Sequence, residues 1–440
     1  MCMDRGIKLG GISEAAYADY RYDVIFNAYK WDPQVSDSNT IAKHVVLMER
    51  KTAQQLEKWA EQLSAETMLM EEALLELPEV AKTLGLRKEI GEALRKISGY
   101  SRNNHIRLMR FDFHPVYGSC NEDTTAALGW ALSEVNSDSP GGLAEASLLP
   151  TIASKYLKYS THHPAGVQNT TNTGCAAFVP PKNVTKALLA AFQAKVKAGG
   201  TIALIHATSY ADDRQVVQCL GDCFEKAGYR ALYAAPDHIV WDNQRMPSLL
   251  ASAKLDGIVR FFPLEWLADL PKKTKWKEYF NTETPSCNHP ISSFTQSKRL
   301  PLIWDKLGIE LPTWKSLLPP TAECGLYRRN TPSNPWILKP AFGRVGEGIT
   351  IQGAISEKEI QNIEKAAKKH PEHWIAQRMF HSWPLTTENG EQYHLCIGAF
   401  TVEGKGAGFY GRISPYPRMD ANAKEIPVMI VESEGKAKEP

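Results

Sequence analysis

Leu108-Met109-Arg110-Phe111-Asp112-Phe113 and, further on, Trp130-Ala131-Leu132-Ser133-Glu134-Val135-Asn136-Ser137-Asp138 are the segments on which the fold turns. Both read as short strands. Side chains two apart on a strand share a face. Arg110 and Asp112 therefore project together, and so do Glu134, Asn136 and Asp138. If the two strands are neighbours, a guanidinium, carboxylates and an amide oxygen converge on one spot. Such oxygens are hard ligands of the kind Mg²⁺ takes when it also holds phosphates. The alternative is a solvated sheet face laced with salt bridges.

A second stretch favours the metal reading. It runs Trp336-Ile337-Leu338-Lys339-Pro340-Ala341-Phe342-Gly343-Arg344-Val345-Gly346-Glu347-Gly348-Ile349-Thr350-Ile351. An apolar strand ends in Lys339, a loop with three glycines follows, and then another strand is expected. Glycines let backbone N–H groups approach phosphate oxygens closely, and a lysine adds a point charge. The order is strand, loop, strand, and GxxxxGK[ST] is absent, so this is no P-loop. A flap over a nucleotide is expected; a bare glycine-rich hairpin is the alternative.

The segments around these two fall into place by periodicity. Residues 13–40 are rich in aromatics and acids and read as packing against a neighbour. From Asn39 the pattern turns helical, with Leu56, Trp59 and Leu63 on one face, through Ile97 with a break at Pro78. Ala144 to Tyr159 looks helical, and 158–181 reads as a long polar loop bearing His162-His163. Val184 to Ala198 reads as a helix closed by Gly199-Gly200. Strand, helix and strand patterns from Thr201 to Phe262 suggest a parallel sheet with flanking helices. Asp212-Asp213 follow its first strand, where such folds place ligand-contacting groups, or else they cap a helix. Residues 268–296 read as a connecting segment, and Lys298 opens an apolar run. Trp374 to Phe380 is expected as a strand, as are Tyr393 to Val402 and Gly406 to Ile413, joined by the turn Glu403-Gly404.

Composition excludes several classes. The 440 residues suffice for two or three domains, and 43% hydrophobic with 23% charged is ordinary for a globular protein. A net charge of +2 points to neither a nucleic-acid nor a membrane partner, and no run approaches a membrane span. Eight cysteines show no CxxC pattern, and Met1 to Ile12 has no apolar core of a signal peptide. A cytoplasmic, reducing location is expected.

Taken together, these motifs resemble the ATP-grasp ligases, specifically the synthetase domain of the glutathionylspermidine synthase family. The carriers are Arg110-Phe111-Asp112-Phe113, Glu134-Val135-Asn136-Ser137-Asp138, Lys339-Pro340 with Gly343-Arg344 and Gly346, and the hairpin bearing Gly408 and Arg412. Glu134-Val135-Asn136 precedes Lys339, the order of the circularly permuted branch that includes eukaryotic glutathione synthetase. The likeness runs from about Tyr20 to Val431. It implies an α/β and α+β protein: a permuted, glutathione synthetase-like ATP-grasp fold with a Rossmann-like pre-ATP-grasp domain. The expected division is a helical segment at 1–100, a catalytic domain at 101–160 plus 285–440, and a substrate domain at 185–270. Bifunctional members carry an N-terminal Cys/His amidase domain, for which no room is expected here. Where the family has small polar residues and a cysteine, this chain reads Ser139-Pro140-Gly141-Gly142, and only Ser139 keeps the polar pattern.

The resemblance also implies roles. ATP and Mg²⁺ are the expected cofactors, with Asp112, Glu134 and Asn136 on the metal. Lys298 and Lys339 would contact phosphates, with Gly343, Arg344 and Gly346 in the flap, and Gln377 and the backbone after it would meet adenine. Arg110 would hold the acyl carboxylate and Arg412 would close over the reacting phosphoryl group. Ser139 would face the acyl substrate. Asp212 and Asp213 stand where the polyamine-using synthetase has an acidic pair. The expected partners are thus a small carboxylate or peptide, such as glutathione, and an amine, such as a polyamine. Two rivals remain: a ligase joining a different peptide or amino acid to an amine, and a nucleotide-binding scaffold without catalysis. The sequence does not address the oligomeric state.

Overall fold

The structure is a computed structural model. It describes residues 6–432 except 36, 98–99, 119–127, 158–177, 180, 243–244, 251, 330–334 and 345. The polar loop with His162-His163 thus lies almost wholly outside the described residues.

The two opening segments are antiparallel neighbours in the main sheet. Its order is Lys424–Ile426, Lys405–Ser414, Gln392–Val402, Leu108–Tyr117, Leu128–Asn136, with Leu385–Thr386 also pairing to Gln392–Val402. Residues Phe111 and Phe113 are fully buried on one face. The helix Arg50–Glu76 covers that face with Leu56, Ala60, Leu63, Met70 and Leu74. Trp59 stacks on Phe113 with ring centroids 6.3 Å apart. The opposite face, bearing Arg110 and Asp112, is left for chemistry.

A parallel sheet of order Ser286–Cys287, Gly257–Phe261, Thr201–His206, Arg230–Ala234 adjoins it. Ile202 and Leu204 pack on the helices Val184–Gln193 and Ala211–Lys226 through Leu188, Phe192, Leu220 and Phe224, while Ala203 and Ile205 face the main core. A small antiparallel sheet, Thr321–Glu323, Trp374–Arg378, Trp336–Pro340, holds the strand that ends at Lys339-Pro340.

Two elements differ from expectation. The helix expected from Asn39 begins at Arg50, because His44–Glu49 is a strand. It is central in a sheet of order Ile7–Gly11, His44–Glu49, Val428–Val431, Phe178–Val179, and its partners come from both ends of the chain. Buried on both faces, His44-Val45-Val46-Leu47-Met48 shows no alternation. The strand expected at Ile349-Thr350-Ile351 does not form. The Thr350 hydroxyl accepts from the Leu338 N–H (2.8 Å), taking the place of a ladder carbonyl. Among the described residues, no helix is long and apolar enough to cross a membrane.

Candidate active site

A cavity of about 520 Å³ opens between the main sheet, the small sheet and the C-terminal ends of the parallel strands. Its floor is the paired opening segments. Arg110 lies opposite Asn136 and Asp112 opposite Glu134, but the register then slips, so that Phe113 faces Leu132. Ser133 is the extra residue of this bulge. Bulges re-aim side chains, and here both Ser133 and Glu134 line the cavity. Asp112 takes two bonds from Arg110 (Nε 2.7 Å, Nη2 2.8 Å) and one from the Asn136 amide nitrogen (3.0 Å). Arg110 donates its remaining nitrogen to the Gly141 carbonyl (2.7 Å). The guanidinium fork is thus closed on Asp112 and not open as a clamp.

Asp138 does not share this face, contrary to the strand-parity expectation. The strand ends at Asn136, and Asp138 turns into the protein. There it pairs with Arg260 and accepts from Ser292 (3.1 Å) and the Leu264 N–H (2.8 Å). It ties the main sheet to the parallel one.

Two lysines stand over the floor. Lys298 Nζ is 2.8 Å from Glu134 and 2.9 Å from the Gly343 carbonyl. Lys339, only 4% exposed, reaches the Ser133 carbonyl at 3.4 Å. Burial works against the Glu134 carboxylate, yet Lys298, then Lys339 and Arg110, hold its pKa well below the usual carboxylate range. Burial likewise pushes the Lys339 ammonium down to about 8, opposed by Glu134 and reinforced by Lys298. The pattern is that of cations held short of counter-charge.

The glycine loop bends over the lysines. Gly346 has φ +65°, and a Cβ there would stand 2.5 Å from the Met419 carbonyl oxygen. Only glycine permits both the left-handed turn and that approach. Arg418 Nε donates to the Gly346 carbonyl (3.0 Å), and Arg412 donates to the Asp420 carbonyl. Arg344 does not face the lysines: its guanidinium pairs with Glu265 (3.0 Å) and lies over the Trp266 ring. Gly343, Arg344, Gly346 and Arg412 all line the cavity.

Gln377 is buried and is not among the lining residues. Its amide donates to Thr321 (2.9 Å), and its Oε1 has no partner among the described residues. Met379 and Phe380 line the cavity just beyond it, with Ile337 and Ile351. His114 and Cys396 were not singled out from sequence, since one His or Cys in an apolar strand carries no signal. Both line the cavity. Burial pushes His114 down to about 3 and the Cys396 thiol well up, so neither is charged near neutrality.

Further along, the cavity holds a group that no sequence motif announces. Lys30 Nζ lies 3.0 Å from Glu425 and 3.2 Å from Glu145, and Tyr410 donates to Glu425 (3.4 Å). These residues come from three distant parts of the chain, since Tyr410 and Glu425 lie on paired neighbouring strands. The Ser139-Pro140-Gly141-Gly142 run gains a physical reason here. Gly142 has φ +85°, and a Cβ would meet the Tyr410 ring at 2.7 Å. Ser139, Asp212 and Asp213 also line the cavity. Neither aspartate is the N-cap of its helix: that position is Tyr210, and the two acids occupy the first turn. Burial pushes Asp213 up to about 6.

With this geometry in place, comparison with known proteins is informative. The glutathionylspermidine synthase pre-ATP-grasp family matches residues 18–431. The chain belongs to this family. Its fold is the mixed α/β arrangement of glutathione synthetase-like ATP-grasp relatives. A glutathione synthetase-like effector from Globodera pallida, in its apo form, superposes with a TM-score of 0.62 at 10% identity, covering 95% of this chain and 98% of the other. At that identity the likeness speaks for the fold alone. A γ-glutamylcysteine synthetase-like protein from Methylobacillus flagellatus KT aligns at 11% identity over 86% and 89% of the two chains, with a TM-score of 0.38, too low to argue from. No curated protein matches the chain in sequence. Family membership points to an ATP-dependent ligase of small molecules.

Proposed function

We propose that the chain is an ADP-forming carboxylate–amine ligase. One observation carries the reading: Lys298 and Lys339 converge on Glu134 beneath the glycine loop, in a cavity that also holds the Arg110–Asp112 pair. Two buried ammonium groups sharing one carboxylate suit a ligand that brings several negative charges, such as a triphosphate.

In the reaction proposed, a carboxylate oxygen attacks the γ-phosphorus of ATP. The new O–P bond replaces the bond to the bridging oxygen, and ADP leaves. An amine lone pair then attacks the acyl carbon, a proton is lost from nitrogen, and phosphate departs with the bonding pair. Lys298 and Lys339 bind and orient the phosphates, and Arg412 acts on charge developing at the transferred group. Arg110, released from Asp112, offers two parallel donors to the acyl carboxylate. Met379 and Phe380 take the place proposed for the base, next to Gln377. Residues 185–270 serve as the substrate-binding unit, and 101–160 with 285–440 as the catalytic one.

The donor set suits Mg²⁺ held jointly with phosphate. Asp112 and Glu134 are register partners, and Asn136 donates through nitrogen, leaving its amide oxygen as a ligand. Among the described residues no cluster of three acidic, His or Cys groups stands ready as a complete cage. Bound there, Mg²⁺ would neutralise phosphate charge.

The family's name suggests glutathione and a polyamine, with Asp212 and Asp213 available to a cation. A second reading, ligation of a different peptide or amino acid, is favoured by the lysine already buried in the cavity, Lys30. The test is ADP release from MgATP with pooled carboxylates and amines, with mass spectrometry of the products. Turnover that needs both an acid and an amine supports the ligase. ATP binding with no such turnover would leave only a scaffold.

A further inference from the structure

Beyond Arg110 the cavity runs through a line of polar contacts. The Arg110 guanidinium lies over the Tyr410 ring, 5.1 Å from its centroid. Tyr410 meets Glu425, which meets Lys30, which meets Glu145. Glu145 is 8% exposed and Lys30 also 8%. Yet Oε2 of Glu145 and Oε2 of Glu425 are buried with no hydrogen-bond partner among the described residues. A buried carboxylate oxygen without a donor is unfavourable, and two in one site call for an explanation.

The charges explain it. Arg412, Arg110 and the exposed Asp212 are other charged groups that act on this site, and Arg110 is already paired with Asp112. Arg412 lies opposite Glu425 in the strand register but donates to the Asp420 carbonyl, not to a carboxylate. At contact distance Glu145 and Glu425 therefore share the one ammonium of Lys30, two carboxylates against one cation. Burial pushes Glu425 up to about 7 despite Lys30, as expected of a carboxylate short of positive charge. Lys30 itself is fixed by its neighbours. Tyr29 sits at φ +60° and donates to Asp222 at 2.5 Å, so the backbone that presents Lys30 is anchored on the helix Ala211–Lys226.

We propose that Glu145 and Glu425 form a subsite for a single substrate ammonium group, with Lys30 as a built-in cation that leaves room for one positive charge and not several. This rests on the ligase reading for its meaning, since the ammonium would belong to an amino acid, a peptide terminus or a monoamine. The Oε2 atoms, which have no donor among the described residues, are the acceptors assigned to it, and both residues line the cavity. A polycation such as spermidine is discriminated against by the Lys30 charge, as like charges brought together in a desolvated site repel strongly.

The experiment is an equilibrium titration of the full chain with n-propylamine and with spermidine, by calorimetry in low salt without turnover. In the wild type, spermidine should bind no more than about threefold tighter than propylamine. Glu145→Gln should weaken propylamine about tenfold or more, since a buried charge partner is lost. Lys30→Met should tighten spermidine about tenfold, and Lys30→Met with Glu145→Gln should bring propylamine back near the wild-type value. Unchanged binding in Glu145→Gln, with only a lower melting temperature, would show a structural triad and overturn the proposal. So would wild-type spermidine binding far tighter than propylamine. If Lys30→Met does not fold, Glu145→Gln and the double variant decide alone. Because binding is read without turnover, loss of the ligase reading would show separately, as wild-type protein that binds the amine yet never consumes ATP with acid and amine present.

Discussion

Lys339→Met gives a prediction in which stability and function move in opposite directions. Lys339 is 4% exposed, and burial holds its ammonium at about 8 against an ordinary 10.5. One pH unit of displacement corresponds to about 1.36 kcal/mol, so keeping this group charged in the ligand-free protein costs about 3 kcal/mol at pH 7. The unfolded chain binds the proton more tightly than the folded one. Stability contributed by this group therefore rises with pH between about 8 and 10.5 and is flat below 8. A methionine keeps the stem without the charge. At pH 7 the variant should be more stable by about 2–3 kcal/mol, and the difference from wild type should vanish as pH rises through that window.

ATP affinity should fall in the same variant. A charge-assisted bond to phosphate contributes about 1.5–3 kcal/mol, which is about ten- to a hundredfold in Kd. Calorimetry supplies a further signature. At pH 8 the lysine is about half protonated, and a phosphate beside it completes the protonation. Wild type should take up about half a proton more per ATP than the variant, read from titrations in two buffers of different ionisation enthalpy. The reasoning is refuted if Lys339→Met melts below wild type at pH 7, or binds ATP equally well with the same proton uptake.

Asp112→Asn should remove Mg²⁺-dependent turnover and leave Arg110 without its carboxylate, lowering the melting temperature as well; full activity at saturating Mg²⁺ would take Asp112 out of the metal site. Arg412→Ala should lower kcat for ATP turnover by about 10³-fold or more while KM for ATP changes little, and a pure KM effect would make it a ground-state contact. Gly346→Ala forces a Cβ to within 2.5 Å of the Met419 carbonyl oxygen at φ +65°. It should displace the loop and raise KM for ATP, whereas unchanged kinetics would mean that the loop is only a turn.

Much of this was legible because the decisive residues sit in strands, where parity assigns faces. Arg110 with Asp112, and Glu134 with Asn136, could be placed on one surface before their pairing was known, and the register sets them opposite each other. Parity misplaced Asp138, since it holds only while the strand lasts, and the chain leaves the sheet after Asn136. The bulge at Ser133 was invisible, because one unpaired residue leaves no trace in a hydrophobic pattern. The strand His44–Glu49 was lost for a different reason. Its pairing partners are Ile7–Gly11 and Val428–Val431, and a strand buried on both faces cannot be told from a helix by period alone. Lys30, Glu145 and Glu425 were out of reach altogether. Their meeting depends on three distant segments folding together, and each reads in isolation as an ordinary surface charge.

The way the glycine loop is tethered bears on how the site would respond to an anion. Lys298 holds the Gly343 carbonyl, Arg418 holds the Gly346 carbonyl, and Arg344 is held by Glu265 beyond the loop. Two of the three tethers are cations bonded to neutral backbone oxygens, and Arg412 makes a third such bond to Asp420. A hydrogen bond from an ammonium or guanidinium to a phosphate oxygen is about twice as strong as one between neutral partners and exceeds one to a carbonyl. A phosphate reaching Lys298 would therefore compete with the Gly343 carbonyl for it, with Glu134 as its other partner. Met419 and Asp420 lie against Gly346 of the same loop, so a shift of the loop there would bear on the segment that holds Arg412. On the proposed reading, nucleotide entry and the position of Arg412 would be linked through a few backbone carbonyls. The Arg344–Glu265 pair, whose arginine comes immediately after Gly343 in the chain, would keep this part of the loop in place whichever partner Lys298 takes.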